Sequence, residues 1–118
     1  MNSTFSDIYS KIKKFIKERE WEKFHNPKDM AEAIVIEASE LLELFLWKDP
    51  AAIQKMLKEK QYETEIREEV ADILIYTLQL VDLMGYDIKE IVEEKMKKNE
   101  RKYPVAKAKG NSRKYTNL

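Results

Sequence analysis

Ile34-Val35-Ile36-Glu37-Ala38-Ser39-Glu40-Leu41-Leu42-Glu43-Leu44-Phe45 decides how this chain folds, together with a second stretch, Glu69-Val70-Ala71-Asp72-Ile73-Leu74-Ile75-Tyr76. Each is an apolar run that carries acids three residues apart. That spacing puts both acids of a pair on one face of a helix. The apolar neighbours draw that helix toward an interior, where a carboxylate ought to be excluded. Burying like charges together is expensive unless something positive sits between them. Two unit charges about 4 Å apart repel by roughly 4 kcal/mol at an effective dielectric near 20. One reading of the pairs is a set of solvated acidic stripes on amphipathic helices, and a lone Glu-x-x-Glu does not exclude it. Two pairs embedded in apolar runs are more specific. They point to a divalent cation held by Glu37, Glu40, Glu69 and Asp72.

Both acidic rows extend further. Glu43 continues the first at spacing three, and Glu65, Glu69, Asp72 and Tyr76 share a face of the second. Carboxylate oxygens are hard ligands that suit magnesium, or manganese in its place. The single histidine disfavours a catalytic zinc site. Magnesium keeps several waters and commonly binds substrate phosphates, so the four acids read as a clamp for a triphosphate and a source of activated water.

Outward from these runs the pattern is helical throughout. Phe5, Ile8, Ile12, Phe15 and Ile16 recur at helical spacing and predict a first helix over 4–24. Asn26-Pro27-Lys28-Asp29 combines an N-cap, a proline at the first helical position and an early acid, which opens a helix to about Trp47. Asp49-Pro50 repeats the signal for a short helix to about Glu59. A long helix follows from near Gln61 to Gly85, a natural stop. Asp87-x-x-Glu90 resembles a capping box for a last long helix to about Arg101, which Pro104 ends. Lys109 to Ser112 then read as a flexible tail. From Val70 to Met84 only Asp72 and Asp82 are charged. A helix apolar on nearly all sides in so small a chain predicts a second copy packed on it.

Composition agrees with a single charge-rich helical domain of 118 residues, 43% hydrophobic and 37% charged. Two glycines and three prolines disfavour a turn-rich β fold. The absence of cysteine removes disulfides, thiolate metal sites and cysteine nucleophiles. No run of about 20 uncharged apolar residues occurs, so no membrane span is expected. Met1 to Asp7 lacks the apolar core of a signal peptide, and the expected location is cytoplasmic. Formal net charge is zero, but 9 of the 10 charges from Lys95 onward are basic. A basic tail holds a triphosphate or a nucleic acid, and the neutral whole disfavours stable nucleic-acid binding.

The acidic signature resembles that of the all-α nucleoside triphosphate pyrophosphatases, the MazG-like superfamily. Arg19-Glu20-Trp21-Glu22-Lys23-Phe24-His25, Glu40 through Lys48, Asp72 through Tyr76, Lys95-Met96, Asn99, Arg101-Lys102-Tyr103-Pro104 and Ser112-Arg113-Lys114-Tyr115-Thr116 are similar to the dCTP pyrophosphatases of that superfamily. The likeness runs from the first helix to the tail. It implies an all-α, four-helix MazG-like bundle over 1–110 that oligomerises through helix packing, with a basic tail over 111–118. It implies a homotetramer, a dimer of dimers, with sites near subunit contacts. It implies hydrolysis of a nucleoside triphosphate to the monophosphate and pyrophosphate, with Glu37, Glu40, Glu69 and Asp72 holding magnesium. By the same likeness Trp21, Phe24, His25, Trp47 and Tyr76 contact the nucleoside. Lys95, Asn99, Arg101 and Lys102 lie near the phosphates, and Arg113, Lys114 and Tyr115 close over them. One position departs: Ile12 stands where vertebrate dCTP enzymes carry a base-contacting histidine.

The residues alone leave other readings open. The aromatics serve equally as core, His25 as a helix cap, and the tail as a solvated run. The leading expectation is a magnesium-dependent pyrophosphatase of dCTP, or of modified dCTP, that cleans the nucleotide pool. A dUTP or broad-range triphosphate pyrophosphatase is the neighbouring alternative, and a non-catalytic helical interaction module is the alternative from another class.

Overall fold

The structure, a computed structural model, describes residues 4–118; Met1, Asn2 and Ser3, part of the span read for a leader, lie outside it. Six α-helices run in order: α1 Phe5–Glu18, α2 Pro27–Glu43, α3 Pro50–Met56, α4 Lys60–Met84, α5 Ile88–Lys102 and α6 Val105–Ala108. Short 3-10 turns occupy Trp21–Phe24 and Tyr115–Asn117. No strand occurs among the described residues, and none of their helices is long and apolar enough to cross a membrane. The chain divides into two compact units, one ending at Met84 and one spanning Gly85–Leu118.

The caps form where the sequence places them. Asn26 Oδ1 accepts from the Asp29 N–H at 2.9 Å, Asp49 Oδ1 from Ala52 at 2.8 Å and Asp87 Oδ1 from Glu90 at 2.9 Å. Each satisfies an amide that the helix start leaves free. A further cap is reciprocal: the Thr4 hydroxyl accepts from the Asp7 N–H while the Asp7 carboxylate accepts from the Thr4 N–H.

Two helices end before their apolar patterns do. The first is expected to reach residue 24 but stops at Glu18. Arg19 folds its guanidinium over the Phe15 ring, 3.7 Å from the centroid, and donates to the Phe15 carbonyl at 3.0 Å. Glu20 then turns left-handed at φ 54°. The second is expected to reach Trp47 but stops at Glu43. Leu44, Phe45 and Leu46 bond three residues back instead of four, and Trp47 adopts φ 60°. The tightened turn uses the last free carbonyls before Asp49-Pro50 opens α3.

In the first unit α4 packs along α2 and also meets α1. Its core is Ile16, Met30, Met56, Leu78 and Val81. Large apolar side chains stay outside it. On α2, Val35 is 66% exposed and Leu42 65%; on α4, Leu74 is 56% exposed. In the second unit no residue of α5 or α6 is buried. There the Tyr115 ring meets Tyr103 edge-on at 6.1 Å and lies under the Lys102 ammonium at 4.7 Å. These contacts tie Tyr115, in the basic tail over 111–118, to the end of the helix before it.

Candidate active site

The α2–α4 contact is what makes a site out of two sequence motifs. Glu37 and Glu40 come from α2, Glu69 and Asp72 from α4. Oxygens of Glu37, Glu40 and Glu69 all lie within 4.8 Å of one another. Asp72 stands outside that triad of oxygens, half-buried on the next turn of α4, with its charge acting on both Glu37 and Glu69. Glu37 Oε2 and Glu69 Oε2 are buried with no hydrogen-bond partner. The ion pairs of the described residues join Lys13 to Asp82, Lys14 to Glu18, Lys28 to Glu32 and Arg67 to Glu63, so none neutralises the cluster.

The consequence is electrostatic. Burial pushes the Glu37 carboxyl up from 4.5 to about 7, helped by a hydrogen bond to Glu69 and the charges of Glu40 and Asp72. Glu69 is also raised, by burial first, while its hydrogen bond to Glu37 works the other way. Burial and the neighbouring carboxylates therefore favour Glu37 in its protonated form. Orphaned carboxylate oxygens converging from two helices are the donor set a hard divalent cation takes, and a cation would replace that proton. Glu37, Glu40 and Glu69, with Asp72 beside them, therefore fit a metal ion.

The expected nucleoside contacts scatter. Trp21 and Phe24 sit in the 3-10 turn after α1, and Trp21 packs edge-on against Phe15 at 5.6 Å. His25 follows, half-buried, and lines a cavity of about 310 Å³ between α1 and α4. Tyr76 is half-buried on α4, one turn beyond Asp72. Trp47 is 94% exposed and held in a left-handed conformation that a bulky side chain rarely adopts. Of these five aromatic residues the structure brings only His25 to the cavity wall. Among its other lining residues are Ile12 and Gln79, the second of which follows Tyr76 by three residues on the same stripe of α4 as Asp72.

The second unit holds its own cavity, about 460 Å³, at the end of α5. Of the residues expected near the phosphates or closing over them, Arg101, Lys102 and Tyr115 line it, while Lys95, Asn99, Arg113 and Lys114 do not. Lys98 and Lys107 line it as well, and neither is among the residues expected from the sequence. A signal existed for Lys98: it precedes Arg101 by three residues and Lys102 by four, which is one helix face.

Residues 33–118 match the MazG-like family. The chain belongs to the MazG-like family. Over 115 residues it is 36% identical to dCTP pyrophosphatase 1 of Rattus norvegicus and 37% identical to that of Homo sapiens, matches that cover 98% of this chain and 68% of each relative. The crystal structure of a pyrophosphatase from Archaeoglobus fulgidus superposes with a TM-score of 0.78 at 38% identity, over 88% of this chain and 95% of that one. In class the chain is an enzyme, a nucleoside triphosphate diphosphatase, and the interaction-module alternative falls away.

Proposed function

We propose that this protein hydrolyses dCTP, or dCTP modified on the base, to dCMP and pyrophosphate, with magnesium (or manganese) held by Glu37, Glu40, Glu69 and Asp72. The observation that carries this reading is the convergence of three carboxylates within 4.8 Å, two of them with a buried oxygen lacking any donor. The dCTP pyrophosphatases among its relatives support the choice of base. When bound, the cation would neutralise charge on the phosphoryl oxygens and on departing pyrophosphate.

The remaining work belongs to the chain. Glu37 or Glu40 orients a water toward the α-phosphorus and takes its proton. The water oxygen bonds to phosphorus, and the bond to the oxygen bridging the α- and β-phosphorus breaks. Pyrophosphate then leaves with that oxygen. Little covalent chemistry is asked of the protein, so positioning and electrostatics dominate. Arg101 and Lys102, joined by Lys98 and Lys107, offer a basic cavity suited to a polyphosphate chain.

The exposed Val35, Leu42 and Leu74 support assembly through the α2 and α4 faces, as a homotetramer built from two dimers. Light scattering on the purified protein tests this: a monomer at micromolar concentration overturns it. For the activity, the purified chain is offered dCTP, 5-methyl-dCTP, dUTP and the other triphosphates with magnesium or a chelator. The expected result is metal-dependent pyrophosphate release led by dCTP. Equal turnover of dUTP would favour the broad-range alternative, and equal turnover in chelator would end the metal assignment.

A further inference from the structure

Three side-chain polar atoms of the described residues are buried without a partner. Two belong to Glu37 and Glu69 and are accounted for by a cation. The third is Gln79 Oε1, which lies outside the acid cluster. Buried polar atoms without partners are rare and call for an explanation such as a ligand.

Its position supplies one. Gln79 follows Asp72 by seven residues and Tyr76 by three. Glu69, Asp72, Tyr76 and Gln79 therefore form one stripe along α4, and all four are half-buried. Two helical turns separate Asp72 from Gln79, about 10 Å along the axis. That is the span of a nucleotide from its α-phosphate to the outer edge of its base. Gln79 also lines the 310 Å³ cavity, whose apolar wall includes Ile12, Ile16, Leu78 and Leu83. The volume is at the small end of ligand pockets and suits one nucleoside. Of the polar groups beside it, Tyr9 donates to Asp82 at 3.2 Å and Lys13 pairs with Asp82 at 3.5 Å. Lys17, Glu22 and His25 line the cavity too, but of its lining residues Gln79 alone has a buried side-chain atom without a partner.

We infer that Gln79 is the base-reading residue, accepting a hydrogen bond at Oε1 from the exocyclic amine of an aminopyrimidine. This rests on the dCTP reading above. The group missing at Oε1 is a donor, and the exocyclic substituent projects furthest from the ring. An amine there supplies the donor, and the adjacent ring nitrogen accepts from the amide's own N–H. With the amide in this orientation, uracil places a carbonyl oxygen at that point, lone pair against lone pair.

The test pairs a change in the ligand with a change in the chain. Wild-type protein with magnesium is offered dCTP and the triphosphate of 2-pyrimidinone deoxyriboside, which lacks the amine. The amine-free analogue should lose roughly ten- to a hundredfold in kcat/KM, mostly in KM. In Gln79→Met, of similar volume, the two substrates should become equal within about threefold and dUTP should rise toward both, since nothing is left to tell them apart. Titration calorimetry with dCMP and the monophosphate of 2-pyrimidinone deoxyriboside gives the same comparison without turnover. Equal use of the two substrates by the wild type overturns the inference, whether or not the variant folds. So does a Gln79→Met protein that keeps the wild-type preference. Absence of pyrophosphate from every triphosphate sinks the enzymatic reading instead, a result distinct from turnover that ignores the amine.

Discussion

The acidic face shared by α2 and α4 and the basic end of α5 carry charges of opposite sign under opposite conditions. Glu37 and Glu69 bring charge into partial burial, where two oxygens lose water without gaining a donor. Lys98, Arg101, Lys102 and Lys107 line an open cavity and are themselves exposed. A long basic side chain keeps its charged head in water while its stem covers apolar surface. The short carboxylates of a packed helix pair have no such escape. The acidic face is therefore incomplete without a ligand, whereas the basic end is stable by itself. Loss of one acid should abolish function, and loss of one base should only weaken it.

The largest expected effect breaks the acidic side. Glu40→Gln should lower pyrophosphate release by about a thousandfold, because a transition-state contact is lost from a preorganised site. Circular dichroism of that variant should match wild type, since Glu40 is no cap and no core residue. Near-normal turnover in magnesium would remove the assignment.

Next comes the basic side. Lys98→Ala combined with Lys107→Ala should raise KM for the triphosphate by roughly tenfold, with less effect at high salt, where exposed charges are screened. The melting temperature should move little. Truncation after Gly110 removes Tyr115 from the same cavity and should also raise KM; an unchanged value in both would detach the cavity from the substrate.

A stability measurement sharpens the contrast. Glu37 titrates near 7 in the folded chain, against 4.5 when free. The folded state thus holds its proton more tightly than the unfolded one. Stabilisation from that proton is complete below the free value of 4.5 and is lost as pH rises through about 7. In chelator the melting temperature should fall across this window, and in Glu37→Gln that fall should shrink. Millimolar magnesium should reverse it near pH 8, by roughly 3 kcal/mol at a hundredfold excess over Kd. A melting temperature indifferent to both pH and magnesium would show that the carboxylates do not share a site.

The smallest effect is local. Glu20 at φ 54° sits where glycine is at ease. Glu20→Gly should stabilise the chain by up to about 1 kcal/mol in chemical denaturation. A loss of stability there would mean that the Glu20 side chain makes a contact worth more than the backbone strain.

Much of this was legible in the chain. Capping residues at Asn26, Asp49 and Asp87 act within one helical turn, so sequence suffices to place them. The four acids were legible because apolar neighbours made them anomalous. Trp47 was harder: its φ of 60° depends on how α2 tightens its last turn before Asp49. The early end of α1 was likewise hidden, because Arg19 folding onto Phe15 overrides a continuing helical pattern. Lys98 stands among many lysines, and Gln79 continues the Glu69-Asp72-Tyr76 spacing without being an acid or an aromatic, so neither is conspicuous in the sequence.

Local rules of capping and helical spacing act over three or four residues, so the sequence alone determined the helices and which acids share a face on each. Only the packing of α4 against α2 and α1 decided that Glu37 meets Glu69, and that Gln79 loses water beside a cavity. Those outcomes join residues more than thirty or sixty positions apart. No helical periodicity specifies such distances; burial between helices does.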